Sequence, residues 1–108
     1  MESQLRPPSP KTLKTYGLTA ETWYAHLDLQ GGCCPVCGLE FTPERRPVVD
    51  HFHARGYKKM SAENKAKQVR GLLHSYCNFH LIPKGMTTEK AYNVYVYLSD
   101  FDLRLLGE

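Results

Sequence analysis

Apolar side chains recur at helical spacing near the start of the chain. Between about Thr19 and Gln30, the side chains of Trp23, Tyr24 and Leu27 fall on one face of a helix. The pair of glycines after Gln30 is typical of a helix C-terminus, where glycine adopts the backbone conformation that ends the helix. The pattern therefore predicts a helix over residues 19–30.

A second helix is predicted near the end of the chain. Thr87 is a suitable N-cap, and Ala91, Val94, Tyr95 and Leu98 follow it with spacings that place them on one helical face. We expect this face to pack in the core against the first helix.

Between the two helices the pattern predicts an antiparallel hairpin. Residues 48–53 and residues 69–73 are rich in β-branched and apolar side chains and form the two strands. The polar residues 54–68 are expected to form a flexible connection, and a short helix from about Ser75 is expected to stop near Pro83. The fold class is therefore α+β, with a flexible leader over residues 1–15 and one domain over residues 16–108.

Length and composition limit the class of protein. The chain has 108 residues, of which 42% are hydrophobic and 23% are charged, and this size suits a single domain. No run of about 18 apolar residues is present, and the N-terminus lacks the hydrophobic segment of a secretory signal. We expect a cytoplasmic protein with no membrane partner, and its net charge of +3 permits a polyanionic partner without requiring one.

Three of the four cysteines lie within five residues, which argues against a disulfide framework. The segment Cys34-Pro-Val-Cys37 lacks the βαβ context of a redox dithiol. It fits a zinc knuckle better, because a two-residue gap lets both thiolates face one ion and Gly38 permits the tight turn. Cys33 is then spare and is interpreted as a small buried hydrophobic residue.

The second half of the zinc site lies around Cys77. Both His74-Ser-Tyr-Cys77 and Cys77-Asn-Phe-His80 have the spacing of a ligand pair, so either His74 or His80 completes a Cys3His set.

The segment Asp50-His51-Phe52-His53 is the main candidate for catalysis. In a strand, Asp50 and Phe52 point to one face while His51 and His53 point to the other. Phosphodiester hydrolysis needs a base, which His51 supplies, and a cation, which the hard oxygen of Asp50 and the amide of Asn78 hold. The alternative is that these are structural polar residues or further zinc ligands.

At these positions the sequence resembles the HNH endonucleases, and within them the recombination endonuclease VII family of phages. The resemblance covers about residues 16–98 and rests on motifs in one order: Tyr16-Gly17-Leu18-Thr19, Gln30-Gly31-Gly32, Cys34-Pro-Val-Cys37, Val49-Asp50-His51-Phe52-His53, and Val69-Arg70-Gly71-Leu72-Leu73 followed by Cys77-Asn78.

The resemblance implies a ββα-metal (His-Me finger) core with a structural zinc and flanking helices. It implies that Asp50 and Asn78 bind the catalytic Mg²⁺ or Mn²⁺, that His51 is the general base and that His53 contacts or orients the scissile phosphate. The implied zinc ligands are Cys34, Cys37 and Cys77, together with one histidine.

The chain departs from the family pattern at two positions of the site. His74 stands where the family usually has a cysteine zinc ligand, and its register favours it over His80 as the fourth ligand. Phe52 replaces an acid that is common between the two histidines. The family members that resolve DNA junctions dimerise through longer helical additions. This sequence does not show those additions, so we expect a monomer or weak dimer.

Basic residues around the hairpin indicate a DNA partner that is bound mostly through its phosphates. The residues expected to bind them are Arg55, Lys58, Lys59, Lys65, Lys67 and Arg70. No helix presents base-reading side chains, so low sequence specificity is expected.

The predicted function is a metal-dependent DNA endonuclease of the HNH type. It would nick DNA in phage recombination or packaging, with proteins of those processes as further partners. The alternative is a zinc-stabilised nucleic-acid-binding module without catalysis.

Overall fold

A computed structural model describes residues 5–107 of the chain. In order along the chain, the elements are α1 (Pro10–Thr15), α2 (Ala20–Leu29), β1 (Pro47–His51), α3 (Ala62–Lys67), β2 (Val69–His74) and α4 (Thr88–Leu106). A 3₁₀ turn at Tyr57–Lys59 precedes α3, and a π-helical turn at Cys77–Leu81 follows β2. The fold is a mixture of helices with one two-stranded sheet.

Helix α2 begins and ends where the sequence predicts. The Thr19 side chain accepts a hydrogen bond from the backbone N–H of Thr22, and the Thr22 hydroxyl accepts one from the N–H of Thr19. This reciprocal capping satisfies two N–H groups that the first turn leaves without helical partners. The helix buries Trp23 and Leu27 against the sheet side of the core.

Strands β1 and β2 pair antiparallel, which confirms the predicted hairpin. Pro47 lies opposite His74 and Asp50 opposite Gly71, but His51 lies opposite Val69. The register therefore shifts between Asp50 and His51, and Arg70 becomes the extra residue of a bulge on β2.

The side chain of Gln30 attaches the end of α2 to β2. Its amide nitrogen donates to the Leu72 carbonyl at 2.8 Å and to the Cys33 carbonyl at 3.1 Å, and its amide oxygen accepts from the Leu72 N–H at 2.8 Å. Gln30 thus pairs with Leu72 as a neighbouring strand would, and it satisfies the hydrogen-bonding backbone N–H and carbonyl groups of this buried residue.

The core lies between α2, the knuckle and the hairpin. Trp23, Cys34 and Leu72 are completely buried at its centre. The other buried apolar residues of the described chain are Leu5, Leu13, Leu18, Leu27, Phe41, Val49, Leu73 and Cys77.

The expected flexible leader needs correction over residues 5–15, whereas residues 1–4 of that prediction lie outside the described residues. Leu5 and Leu13 are buried in the core, and Ser9 caps α1 by accepting from the N–H of Thr12. The Tyr24 hydroxyl donates to the Leu5 carbonyl at 3.0 Å. Pro10 occupies the first helical turn of α1, where proline is favourable, so the prolines of this segment do not prevent a helix.

The connection between the strands is also more ordered than predicted. It contains the 3₁₀ turn and α3, whose first turn is capped by the Ser61 hydroxyl. The Tyr57 hydroxyl donates to the Thr15 carbonyl at 2.7 Å and ties this connection to the end of α1.

Helix α4 does not pack in the core, so the predicted burial against α2 is wrong. None of its residues is buried, and Tyr92, Tyr95 and Leu98 are all at least half exposed. The Thr87 cap and the helix itself are as predicted. The apolar spacing specified the helix, but periodicity alone does not specify which surface a helix contacts. Among residues 5–107, none of the helices has both the length and the hydrophobicity that a membrane span requires.

Gly17 provides a test of the contact between the α1–α2 turn and α3. Its φ is +69°, and a Cβ there would lie 2.1 Å from the carbonyl oxygen of Ala62. Gly56 is the matched control, because its φ is +74° but no atom lies within 4 Å of a Cβ built there. We expect Gly56→Ala to lower the free energy of unfolding by about 1 kcal/mol, from backbone strain alone. Gly17→Ala should cost about 1–3 kcal/mol more, since α3 must move. Chemical denaturation measures both, and equal losses would show that the turn does not depend on α3.

Candidate functional site

The residues of the Asp50–His53 segment divide between two sides of the hairpin. Asp50 and Phe52 line a cavity of about 670 Å³, between the hairpin and the start of α4. His51 and His53 line a cavity of about 610 Å³ on the other side. The alternation expected of a strand therefore persists past the bulge.

Asp50 is buried and ion-paired with Arg70. Its side chain is 8% exposed, and its Oδ2 and Oδ1 accept from Nε and Nη2 of Arg70 at 2.9 Å each. Such a bidentate pair is among the stronger charge-assisted interactions in proteins. The bulge places Arg70 beside Asp50, so the arginine that was predicted to bind DNA phosphate is bound to a carboxylate of its own chain.

His51 lies in an aromatic environment. Its ring centroid is 5.2 Å from that of Tyr16, 4.8 Å from that of Tyr57 and 4.5 Å from that of His53. Burial, and then the charge of His53, lowers the pKa of His51, and Arg70 acts in the same direction while Asp50 opposes it. The neutral imidazole, which can accept a proton, is therefore favoured.

A smaller cavity of about 220 Å³ adjoins both sides of the hairpin end. His53 and Lys84 line it and the His51 cavity, and Arg70 lines it and the Asp50 cavity. The small cavity thus shares lining residues with each of the two larger ones. We call the three adjoining cavities the hairpin groove.

Asn78 occupies the π-helical turn directly after the buried Cys77 and is itself half-buried. It is not among the residues that line the three cavities.

The basic residues predicted to bind phosphate differ in their surroundings. Lys58 and Lys59 line the His51 cavity. Lys65 lies over the Tyr57 ring, 5.6 Å from its centroid, while Lys67 is 3.9 Å from Glu63 and Arg55 is exposed. The structure thus brings two of the lysines into the groove.

The predicted knuckle meets the end of β2. One ligand atom from each of Cys34, Cys37 and His74 lies within 4.8 Å of the others, a group that could hold a metal ion. The Cys37 Sγ is 3.2 Å from Nδ1 of His74, and the backbone N–H of His74 approaches the Cys34 Sγ at 3.5 Å. Two thiols and an imidazole are a donor set that zinc prefers. Nδ1 of His74 thus faces the Cys37 thiol, while its Nε2 is buried without a hydrogen-bond partner among the described residues.

Cys77 lies beside this group, and its environment differs from that of Cys34. Burial, followed by the neighbouring thiols of Cys34 and Cys37, raises the pKa of Cys77 to about 11. Burial also disfavours the Cys34 thiolate, but hydrogen bonds from the N–H groups of Cys37, His74 and Val36 lower the pKa of Cys34 to about 7. One thiol is thus prepared to ionise, and a cation would favour ionisation of the others.

His80 and Cys33 stay outside the group. His80 is exposed, with its ring 4.6 Å from that of Tyr76. Cys33 is half-buried and forms an isolated backbone bridge with Glu40. All four cysteines are free thiols.

Among the residues of the groove that the sequence did not predict as members of the site are Tyr16, Tyr57 and Lys84. Lys84 lies in the turn before α4, distant in sequence from the basic connection. Nothing in the local sequence marks it, because its position depends on how the chain returns after the π-helical turn. Tyr16 belongs to one of the family motifs, but its contact with His51 depends on the tertiary fold.

The chain was compared with known families, curated proteins and solved structures. Residues 9–99 match the family model described as recombination endonuclease VII. The chain is 36% identical over 72 residues to the Gene 59 protein of Mycobacterium phage D29, covering 67% of this chain and 37% of that protein. It is 34% identical over 68 residues to the Gene 59 protein of Mycobacterium phage L5, covering 63% of this chain and 35% of that protein.

The matched segment thus spans little more than a third of these curated relatives. No solved structure matches the chain significantly. Since the family model covers most of the sequence, the chain belongs to the recombination endonuclease VII family.

Proposed function

We propose that the protein is a divalent-metal-dependent DNA endonuclease of the HNH type, stabilised by a structural zinc and acting in phage DNA recombination or packaging. The observation that carries the proposal is the hairpin groove, where His51, His53, Lys84 and the Asp50–Arg70 pair line adjoining cavities. Family membership supports the same reaction class.

His51 is the proposed general base. Its lowered pKa favours the neutral ring, which can take a proton from water as the water attacks phosphorus. The rings of Tyr16 and Tyr57 restrict its orientation. His53, exposed at the junction of two cavities, is the proposed phosphate contact.

Asp50 and Asn78 are the proposed ligands of Mg²⁺ or Mn²⁺. A hard divalent cation prefers such oxygens, and when bound it would stabilise the charge that develops on the phosphate. The Asp50 carboxylate already holds a cation, the Arg70 guanidinium, at both oxygens. This ion pair supports the proposal, because a carboxylate that accepts from a guanidinium at both oxygens has the charge and donor atoms that a divalent cation needs.

The hairpin with its following turn is the proposed ββα-metal core, and contacts to the DNA are proposed to be mostly with phosphates. Lys58, Lys59 and Lys84 line the His51 cavity and provide positive charge without base-specific geometry. Low sequence specificity follows. One such site cuts one strand, so a monomer would nick.

Cleavage is tested by conversion of supercoiled plasmid to the relaxed form with Mg²⁺ or Mn²⁺. His51→Ala should reduce the nicking rate about 10²- to 10⁴-fold, because the base is lost. His26→Ala is the matched control, since His26 lies on α2 and lines none of the three cavities. Equal nicking by wild type and His51→Ala would refute the assignment of the base.

The alternative function, a zinc-stabilised binding module without catalysis, predicts DNA binding with no metal-dependent relaxation of plasmid by the wild type. The Asp50–Arg70 pair favours this alternative function, because a carboxylate that is paired with an arginine does not need a metal ion. The same assay separates the two functions.

Zinc is proposed to bind Cys34, Cys37, His74 and Cys77, at about one ion per chain. Such a site contributes on the order of 10 kcal/mol to folding. His74→Ala should therefore lose zinc and unfold at much lower temperature, whereas His80→Ala should retain both zinc and stability, because His80 is exposed. Metal analysis together with thermal unfolding decides the ligand. Zinc loss only in His80→Ala would reverse the assignment.

Lys84 is proposed to contribute one phosphate contact. Lys84→Gln should weaken DNA binding at every sequence tested and reduce the slope of log affinity against log salt by about 0.9. Lys14→Gln is the charge-matched control, because Lys14 is exposed on α1 and lines none of the three cavities. Fluorescence anisotropy with two unrelated duplexes measures this, and an unchanged slope for Lys84→Gln would exclude the contact.

A further inference from the structure

Both oxygens of the Asp50 carboxylate are already bound in this structure. The Nε and Nη2 atoms of Arg70 donate to them at 2.9 Å each, and the carboxylate side chain is only 8% exposed. A divalent cation that binds Asp50 must therefore displace or share the position of a guanidinium. Two cations on one buried carboxylate repel each other, so the two states compete.

The backbone under Arg70 is held in place, whereas its side chain has space to move. Arg70 is the extra residue of the bulge. Two residues further along β2, both backbone groups of Leu72 are held by hydrogen bonds with the Gln30 side chain. The Gly71 backbone lies against the same side chain, since a Cβ built at Gly71 would lie 2.7 Å from Oε1 of Gln30. The Arg70 side chain is 37% exposed, however, and it also lines the small cavity shared with His53 and Lys84.

That small cavity is where a DNA phosphate would lie if His53 and Lys84 contact it. A guanidinium binds phosphate with the same two-pronged geometry that it uses on a carboxylate. A phosphate in the cavity would thus offer Arg70 a second partner and supply negative charge between Arg70 and a cation on Asp50.

We propose that Arg70 is a built-in counter-ion that occupies Asp50 until a DNA phosphate draws the guanidinium into the small cavity, so that the divalent cation and the DNA bind cooperatively. The inference rests on the proposed function, in which Asp50 is a metal ligand. By linkage, the cation tightens DNA binding by the same factor as DNA tightens cation binding. Arg70 is then a positioning residue for Asp50 before DNA binds and a phosphate ligand afterwards.

The first test measures Mn²⁺ binding to the zinc-loaded full chain without DNA, from the electron paramagnetic resonance signal of free Mn²⁺. Arg70→Gln should bind Mn²⁺ about tenfold more tightly than wild type, because the competing cation is gone. Arg104→Gln is the matched control: it makes the same change in charge and breaks an Arg–Asp pair with Asp100, at 3.4 Å on exposed α4. Its Mn²⁺ affinity should equal that of wild type.

The second test adds a short phosphorothioate duplex, which keeps the phosphate charge but resists cleavage, with Mn²⁺ binding to the duplex alone subtracted. The duplex should tighten Mn²⁺ binding to wild type about tenfold and to Arg70→Gln much less. If Arg70 had a purely structural role, the duplex would tighten Mn²⁺ binding by the same factor in wild type and in Arg70→Gln. An equal factor in the two proteins would overturn the proposal.

Stability provides a readout if Arg70→Gln folds poorly. Without Mn²⁺, the melting temperature of Arg70→Gln should be lower than that of wild type. Added Mn²⁺ should raise the melting temperature of Arg70→Gln more than that of wild type, because the cation replaces the lost partner of a buried carboxylate. Arg70→Lys, which keeps the charge but loses the two-pronged contact, should give an intermediate Mn²⁺ affinity. An Arg70→Gln protein that binds Mn²⁺ no more tightly than wild type would overturn the proposal.

A further variant separates this inference from the proposed function. Adding Asp50→Asn to Arg70→Gln should abolish the gain in Mn²⁺ affinity, and persistence of the gain would show that the cation binds elsewhere and refute the inference. If the binding results hold but wild type never nicks plasmid, the endonuclease proposal fails while the competition at Asp50 stands.

Discussion

The rest of the structure depends on the meeting of the knuckle with the end of β2. Cys37 and His74 are separated by 37 positions, yet their side-chain atoms are 3.2 Å apart. The apolar core around this point is small, with Trp23, Cys34 and Leu72 completely buried at its centre. A core of this size stabilises a domain only modestly, so a metal ion held by the cysteine–histidine group would add a cross-link with a large effect on stability. Cys77, at the start of the π-helical turn, lies beside this group, and Asn78 follows it directly.

The bulge after Asp50 is the second constraint, because it determines which partners the carboxylate and the imidazole meet. Regular pairing would place Arg70 opposite His51, whereas the shifted register frees Arg70 to reach Asp50. The carboxylate then lies in a buried site with a cation, whereas burial and the neighbouring His53 lower the pKa of His51 and favour its neutral form. Two adjacent residues thus acquire environments suited to different chemical tasks.

The sequence predicted α2, α4 and the hairpin, because these depend on short-range patterns around Thr19, Thr87 and Asp50. Helices α1 and α3 were not predicted, since each is only six residues long and lies in a polar, proline- or lysine-rich segment. The cysteine spacing brought Cys34, Cys37 and His74 into one hypothesis because ligand geometry restricts spacing. What could not be predicted were contacts made only by the folded chain. The exposure of α4 and the place of Lys84 depend on the path after β2, which no local pattern specifies.

The position of Arg70 shows why a basic residue near a nuclease motif has two interpretations that sequence cannot separate. A guanidinium binds phosphate and carboxylate with the same geometry, so a count of positive charges around the hairpin assigns Arg70 to DNA. Burial of Asp50 changes that assignment, because an ionised carboxylate removed from water needs a cation or hydrogen-bond donors. In the chain alone, Arg70 meets that need at both oxygens. Any other cation at Asp50 is therefore bound at the expense of this pair, and its affinity depends on where the arginine goes.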